Sequence, residues 1–124
     1  MPTPARSWTQ WFEIPVADMD RARRFYEAVF DTRIEVFDLG PLRMGMLPHK
    51  DVGGALCQGE HYRPSPDGVV VYLEAEPDLS VALARIEPAG GKILQPKKQI
   101  SPQHGFMALF LDPEGNRLAL HSMT

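Results

Sequence analysis

Few residues of this chain carry side chains suited to acid–base, nucleophilic or metal chemistry. His121 lies in an apolar run near the C-terminus and is the strongest acid/base candidate, because an imidazole titrates near neutrality. The competing reading is a strand histidine packed against a neighbour. Glu13 and Glu74 fall on strand-like segments, where each is suited to act as a general base or metal ligand, or else to pair with Arg117 or sit at a wet rim. Glu13 set against His121 would form a proton-transfer couple, with the carboxyl pKa raised if buried. His49, His61 and His104 stand beside Pro48, Glu60 and Gly105, with no ligand spacing between any two, and read as exposed loop residues. Cys57 has no activating neighbour in sequence and reads as a small packed side chain, not a nucleophile. Met44 and Met46 alternate on one strand, suited to an adaptable pocket wall or to core or interface packing. Gly90-Gly91 follows a helix instead of opening one, so it is no phosphate cradle.

The elements that must position these groups are legible in the hydrophobic pattern. Phe12, Ile14 and Val16 alternate with Trp11, Glu13 and Pro15, the period of a half-buried strand. Asp18 is a natural N-cap, and Ala22, Phe25, Tyr26 and Val29 recur at helical spacing, predicting an amphipathic helix that stops near Phe30-Asp31. Strands are predicted over 34–37, 42–47 and 54–58, with Gly40-Pro41 as a turn. The same order then repeats. A β-branched run spans 69–73, Asp78 is a plausible cap, and Leu79, Ala82, Leu83 and Ile86 form a second helical stripe closed by Gly90-Gly91. Strands follow from Ile93, over 106–111 and over 117–121, the last two joined by the turn-forming Asp112-Pro113-Glu114-Gly115-Asn116. Lys92, Lys97 and Lys98 read as a solvated sheet edge.

At an offset of about 57, Phe12, Ile14 and Val16 fall on Val69, Val71 and Leu73, and the two helical stripes superpose. The chain of 124 residues therefore reads as one domain of two half-sized modules, 8–58 and 68–122, joined by a linker over 59–67 with Pro64 and Pro66. Each half is too small to be comfortably stable alone. The composition excludes several classes. Thirteen Lys+Arg against sixteen Asp+Glu give a net charge of −3 with no basic run, so nucleic acid is not an expected partner. No apolar stretch has the length of a membrane helix, and the first residues lack a signal-peptide core. A single cysteine excludes an internal disulfide and fits a reducing, cytoplasmic setting.

Two segments, Ile14-Pro-Val-Ala-Asp-Met-Asp-Arg-Ala-Arg-Arg-Phe-Tyr26 and Asp112-Pro-Glu-Gly-Asn-Arg-Leu-Ala-Leu-His-Ser122, resemble the vicinal oxygen chelate superfamily, the glyoxalase/bleomycin-resistance/dioxygenase group. Leu83-Ala-Arg-Ile-Glu-Pro-Ala-Gly-Gly-Lys92 is similar to its second helix and exit, so the likeness covers about residues 8–122. The resemblance implies an α+β fold of two tandem βαβββ modules forming a curved, open mixed-sheet cup, and a homodimer with ligand sites near the interface. It also implies a divalent metal (Ni, Zn, Mn or Fe) held by His, Gln or Glu on inward-facing strand positions. In this chain those positions fall on Trp11, near Ala55, near Val70 and on Ala119, none of which offers a ligand of the expected kind, so no metal or other cofactor is expected. Strand parity would line the cup with Trp11, Glu13, Tyr72, Glu74, Arg117 and His121, beside Met44 and Met46. The expected function is a metal-free module that binds a small, mostly apolar or planar organic ligand, as in the resistance branch. The alternatives are a metal-dependent lyase, isomerase or dioxygenase using Glu13, Glu74 and His121 as non-standard ligands, or a dimeric regulatory domain with a vestigial cup.

Overall fold

The computed structural model describes residues 3–124. The order of elements is β1 (Trp11–Pro15), α1 (Met19–Phe30), β2 (Glu35–Leu39), β3 (Leu42–Met46), β4 (Gly53–Gln58), β5 (Tyr72–Glu74), α2 (Ser80–Ile86), β6 (Lys92–Ser101), β7 (Gly105–Leu111) and β8 (Arg117–Ser122). This is the βαβββ programme run twice, as the internal repeat predicts. Each module folds as one mixed four-stranded sheet, β1-β4-β3-β2 and β5-β8-β7-β6, and no barrel closes. In each, the first and last strands run parallel, as Glu13 opposite Ala55 and Tyr72 opposite Ala119 record. No helix among the described residues is long and apolar enough to cross a membrane.

Local chemistry starts and stops α1 where the pattern places it. Asp18 is the N-cap, and its side chain accepts the backbone N–H of Arg21 at 3.1 Å. Asp31, at φ 50°, turns the chain out in the left-handed region. The predicted stripe of Ala22, Phe25, Tyr26 and Val29 is buried, with Met19 added to it. In α2, Leu79, Ala82 and Ile86 are buried and Leu83 is half-buried. Asp78 lies just ahead of the cap position. Its Oδ1 accepts from the Ser80 N–H at 2.9 Å and from Lys97 Nζ at 2.8 Å, which holds its carboxyl down at about 2.

The structure differs from the predicted strands mainly at β5. Val69, Val70 and Val71 lie outside it; the parallel register that sets Tyr72 opposite Ala119 carries Val69 ahead of the start of β8, and Val69 is 92% exposed. The predicted lysine edge is indeed an edge strand, β6, but Lys97 is not simply solvated. It pairs with Asp78 and lies 4.6 Å from the centre of the Phe106 ring.

The modules are joined through one core. Residues of both helices and of the facing sides of both sheets, among them Ile14, Phe25, Leu56, Leu79, Ile86, Phe110 and Leu120, form a single buried cluster. Phe25 meets Phe110 across the junction at 6.0 Å between ring centres. A buried polar bracket accompanies this packing. Tyr26 Oη donates to Asp112 Oδ2 at 2.7 Å, while Asp112 Oδ1 accepts the backbone N–H groups of Glu114 and Asn116, each at 2.9 Å. Asn116 Nδ2 donates both to Asp112 and to the Pro15 carbonyl at the end of β1. Burial, followed by the Asp112 charge, pushes the Tyr26 hydroxyl well above its ordinary pKa, so it remains a donor. Beside it, the fully buried Glu114 side chain takes the Ala17 and Asp18 N–H groups at 2.8 Å and Arg21 Nε at 2.6 Å. Burial alone would raise the Glu114 pKa, but these donors outweigh it and hold the group below its ordinary value. We expect Tyr26→Phe to lower unfolding stability in urea by about 1–3 kcal/mol, and Asp112→Ala, which strands several donors, to cost more. A Tyr26→Phe variant with unchanged midpoint and slope would show that the bracket does not hold the modules together.

Candidate functional site

Register decides which side chains stand on the face of each sheet away from the helices. In the first module Trp11, Glu13 and Pro15 stand beside Gly53, Ala55 and Cys57, then Met46 and Met44, then Glu35 and Phe37. In the second, Tyr72 and Glu74 stand beside Ala119 and His121, then Leu109 and Met107. This is the parity predicted for Trp11, Glu13, Tyr72, Glu74, Arg117 and His121. Small residues occupy the middle strands: Ala55, Cys57 and Ala119 are fully buried beneath larger neighbours.

An open cleft of about 870 Å³ runs between the β1–β4 edge of the first module and the segment entering β5 of the second. Its walls include Trp11, Phe12, Val71, Tyr72 and Leu73, with Tyr26 and Phe30 of α1 reached from the same side. Trp11 and Tyr72 keep 39% and 52% of their surfaces exposed, as wall residues of an open cleft would. Gly53 and Gly54 belong to the lining, and a side chain at Gly54 would collide with the Phe12 ring. Glu74 is the only acid in the lining, and one of its oxygens already accepts the Glu76 N–H at 3.1 Å.

Of the predicted site residues, the structure brings Trp11, Tyr72 and Glu74 to this cleft. Glu13 and Arg117 line a smaller neighbouring cavity of about 320 Å³ that shares Phe12, Val69 and Val71 with it. Met44 and Met46 stand half-buried on the same sheet face as Glu13 but line neither cavity. His121 also lines neither. Its Nε2 bonds to the His104 carbonyl at 2.6 Å, and since a carbonyl only accepts, Nε2 carries the hydrogen. Neither of the predicted pairings of Glu13, with Arg117 or with His121, is formed. Tyr62 Oη donates to Glu13 Oε1 at 2.7 Å and Trp11 Nε1 donates to Oε2 at 3.3 Å, so both oxygens are engaged.

Two participants escaped the sequence reading. Tyr62 belongs to the stretch read as linker, and nothing in a linker's composition says which strand its side chain will reach. Its bond to Glu13 pushes its hydroxyl up to about 12. His49, read as an exposed loop residue, is exposed but meets the Trp11 ring edge-on at 5.7 Å between centres and lines the larger cleft. Its one signal was its place four residues before Gly53, where the strand that pairs with Trp11 begins. Cys57 lies beside Glu13 and Tyr62, buried as expected. Burial first, and then the neighbouring Glu13 charge, push its thiol up to about 11.

The donor set does not fit a metal of the family type. The strand positions that the resemblance implies for metal ligands fall on Trp11, near Ala55, near Val70 and on Ala119, and among the described residues no group of three or more His, Cys, Asp or Glu side chains converges as a metal site would require. Glu13, Glu74 and His121, the non-standard ligands, are each engaged with a different partner.

With this geometry in hand, the fold has a family. The chain matches the Glyoxalase/Bleomycin resistance protein/Dioxygenase superfamily over residues 8–120 and belongs to it. No curated protein sequence matches it. Similar solved structures include a glyoxalase/bleomycin resistance protein from Albidiferax ferrireducens, with 16% identity, a TM-score of 0.68, and 95% of this chain and 100% of that one covered. A glyoxalase-related enzyme from Fulvimarina pelagi has 15% identity and a TM-score of 0.66, covering 94% of this chain and 88% of that one. A variant of glyoxalase I from Zea mays has 20% identity and a TM-score of 0.68, covering 90% of this chain but 44% of that one. At such identities the likeness is one of fold.

A thiol held at about 11 is almost wholly protonated at pH 8. We expect Cys57 in the native protein to be alkylated by iodoacetamide about a hundred-fold or more slowly than free cysteine, with Glu13→Gln accelerating the reaction. Alkylation of native Cys57 at the free-cysteine rate would contradict the burial of its thiol beside Glu13 and Tyr62.

Proposed function

We propose that this chain is a small-molecule-binding module of the resistance or sequestration type, taking a planar, mostly apolar organic ligand in the cleft between β1 and β5 without a metal. The observation that carries the reading is the substitution of an aromatic wall for a donor set. The position where the resemblance implies a first-strand ligand is Trp11, which lines the cleft with Tyr72, and the implied last-strand position is the buried Ala119. Exposed rings offer a ligand large apolar area with little side-chain entropy to lose, which suits binding by stacking. Family membership supports the reading as far as the fold; the ligand and the lack of a metal are proposals.

Catalysis without a metal would fall to His121 and Glu13 as proton-transfer groups. His121 donates through Nε2 to the His104 carbonyl, while Glu13 holds a carboxylate against two donors. Their separate partners favour binding over a shared catalytic step. The proposal includes a homodimer, because both sheet faces are open and β1 and β5 are edge strands that a second copy would cover.

Two measurements test the reading. Elemental analysis of protein purified without chelator, followed by titration with Ni²⁺, Zn²⁺, Mn²⁺ and Fe²⁺, should give far less than one metal per chain. A thermal-shift screen should find planar aromatic compounds that raise Tm, with the shift lost in Trp11→Ala. Tight stoichiometric metal, or a screen with no stabilising compound, would overturn it.

A further inference from the structure

The smaller cavity carries chemistry that the aromatic cleft does not. It opens where β1 passes the start of β8, and Arg63 from the linker and Arg117 from β8 both line it, together with Ser65 and Glu13. Arg117 is half-buried, and its Nε is shielded from solvent with no hydrogen-bond partner. Neither Arg63 nor Arg117 forms an ion pair among the described residues. Leaving a guanidinium donor buried and unsatisfied is costly, and such groups are ordinarily matched by an acceptor. The neighbours do not supply one. Asn116 is committed: its Oδ1 accepts the Ser65 N–H and its Nδ2 is shared between Pro15 and Asp112. Glu13 is committed to Tyr62 and Trp11.

We infer that Arg117, with Arg63, forms an oxyanion-binding subsite, so that the ligand of this protein is a flat apolar molecule bearing a carboxylate or a phosphate. The inference rests on the cleft reading above. A planar guanidinium presents parallel N–H groups that match the two oxygens of a carboxylate or phosphate. An anion entering the cavity would meet the Arg117 guanidinium, which no carboxylate of the protein neutralises. The exposed Arg63 adds a second cation at the rim, and the two arginines outnumber the one carboxylate of the lining. The cavity shares Phe12, Val69 and Val71 with the aromatic cleft, so one molecule can place its charge here and its ring against Trp11.

The test uses phenyl phosphate, benzoate and neutral benzamide on the full chain, read by the Nε–Hε resonance of Arg117 and by tryptophan fluorescence. At least one of the two anions should move that resonance saturably, and benzamide should not. Benzoate acting alone marks a carboxylate site, and phenyl phosphate acting alone marks a phosphate site. Arg117→Lys should weaken the effective anion about ten-fold or more, with folding checked by circular dichroism. Arg63→Ala, at an exposed position, should weaken it several-fold in a protein of unchanged stability. Glu13→Gln, which removes a repelling charge, should tighten it. The inference is overturned if neither anion moves the resonance, if benzamide moves it equally, or if both arginine variants bind as the wild type does. If benzamide perturbs tryptophan fluorescence while the anions leave Arg117 unmoved, the subsite fails and the cleft reading stands. If no aromatic compound perturbs the fluorescence but an anion moves Arg117, the cleft reading fails and the subsite stands alone.

Discussion

The architecture depends on one buried carboxylate. Asp112 ends β7 of the second module, yet it accepts the hydroxyl of Tyr26 from the helix of the first. It also orders its own turn through the Glu114 and Asn116 N–H groups, and Asn116 in turn grips the Pro15 carbonyl where β1 ends. A module of some sixty residues has too little interior to stand alone. Fusing two through their helices buries Phe25, Tyr26 and Phe110 in one core, but apolar packing is indifferent to small rotations. Directional bonds in a low-dielectric interior are not. The bracket therefore fixes where β1 lies relative to the strands of the second module, and the cleft exists only because of that placement.

The consequence for function follows from which faces are used up. Both helices pack inward, so the other face of each sheet stays open. On that face β4 and β8 carry the small residues Ala55, Cys57 and Ala119, while Trp11 and Tyr72 stand on the edge strands β1 and β5. The groups that could have done acid–base chemistry there are held apart by satisfied hydrogen bonds, Glu13 by Tyr62 and Trp11, His121 by the His104 carbonyl. Arg117, which lines the neighbouring cavity, has an Nε with no partner.

Periodicity made the fold legible because strand and helix periods are local properties. The alternation of Phe12, Ile14 and Val16 identified the covered face of β1, and the same parity placed Tyr72, Glu74, Arg117 and His121 on the open face of the second sheet. The stripe from Ala22 to Val29 was buried as read. The Asp112–Asn116 turn was recognised from its turn formers, but its role as a bracket was hidden, since it depends on a residue 86 positions away. Strand ends were misjudged where register decides them, as at Val69, because register is set by the partner strand. Tyr62 and His49 were missed for the same reason: each reaches the site along a loop whose path no spacing encodes.

The central claim is that the seam between the modules binds a planar ligand through Trp11 with no metal taking part. The most direct measurement is a fluorescence titration of a Trp8→Phe variant, which leaves Trp11 as the sole tryptophan, using one planar aromatic ligand before and after exhaustive dialysis against chelator. The account predicts saturable quenching of Trp11 emission with the same Kd in both states. Emission that does not respond to any planar ligand, or binding that disappears on chelation and returns with a divalent cation, would contradict it.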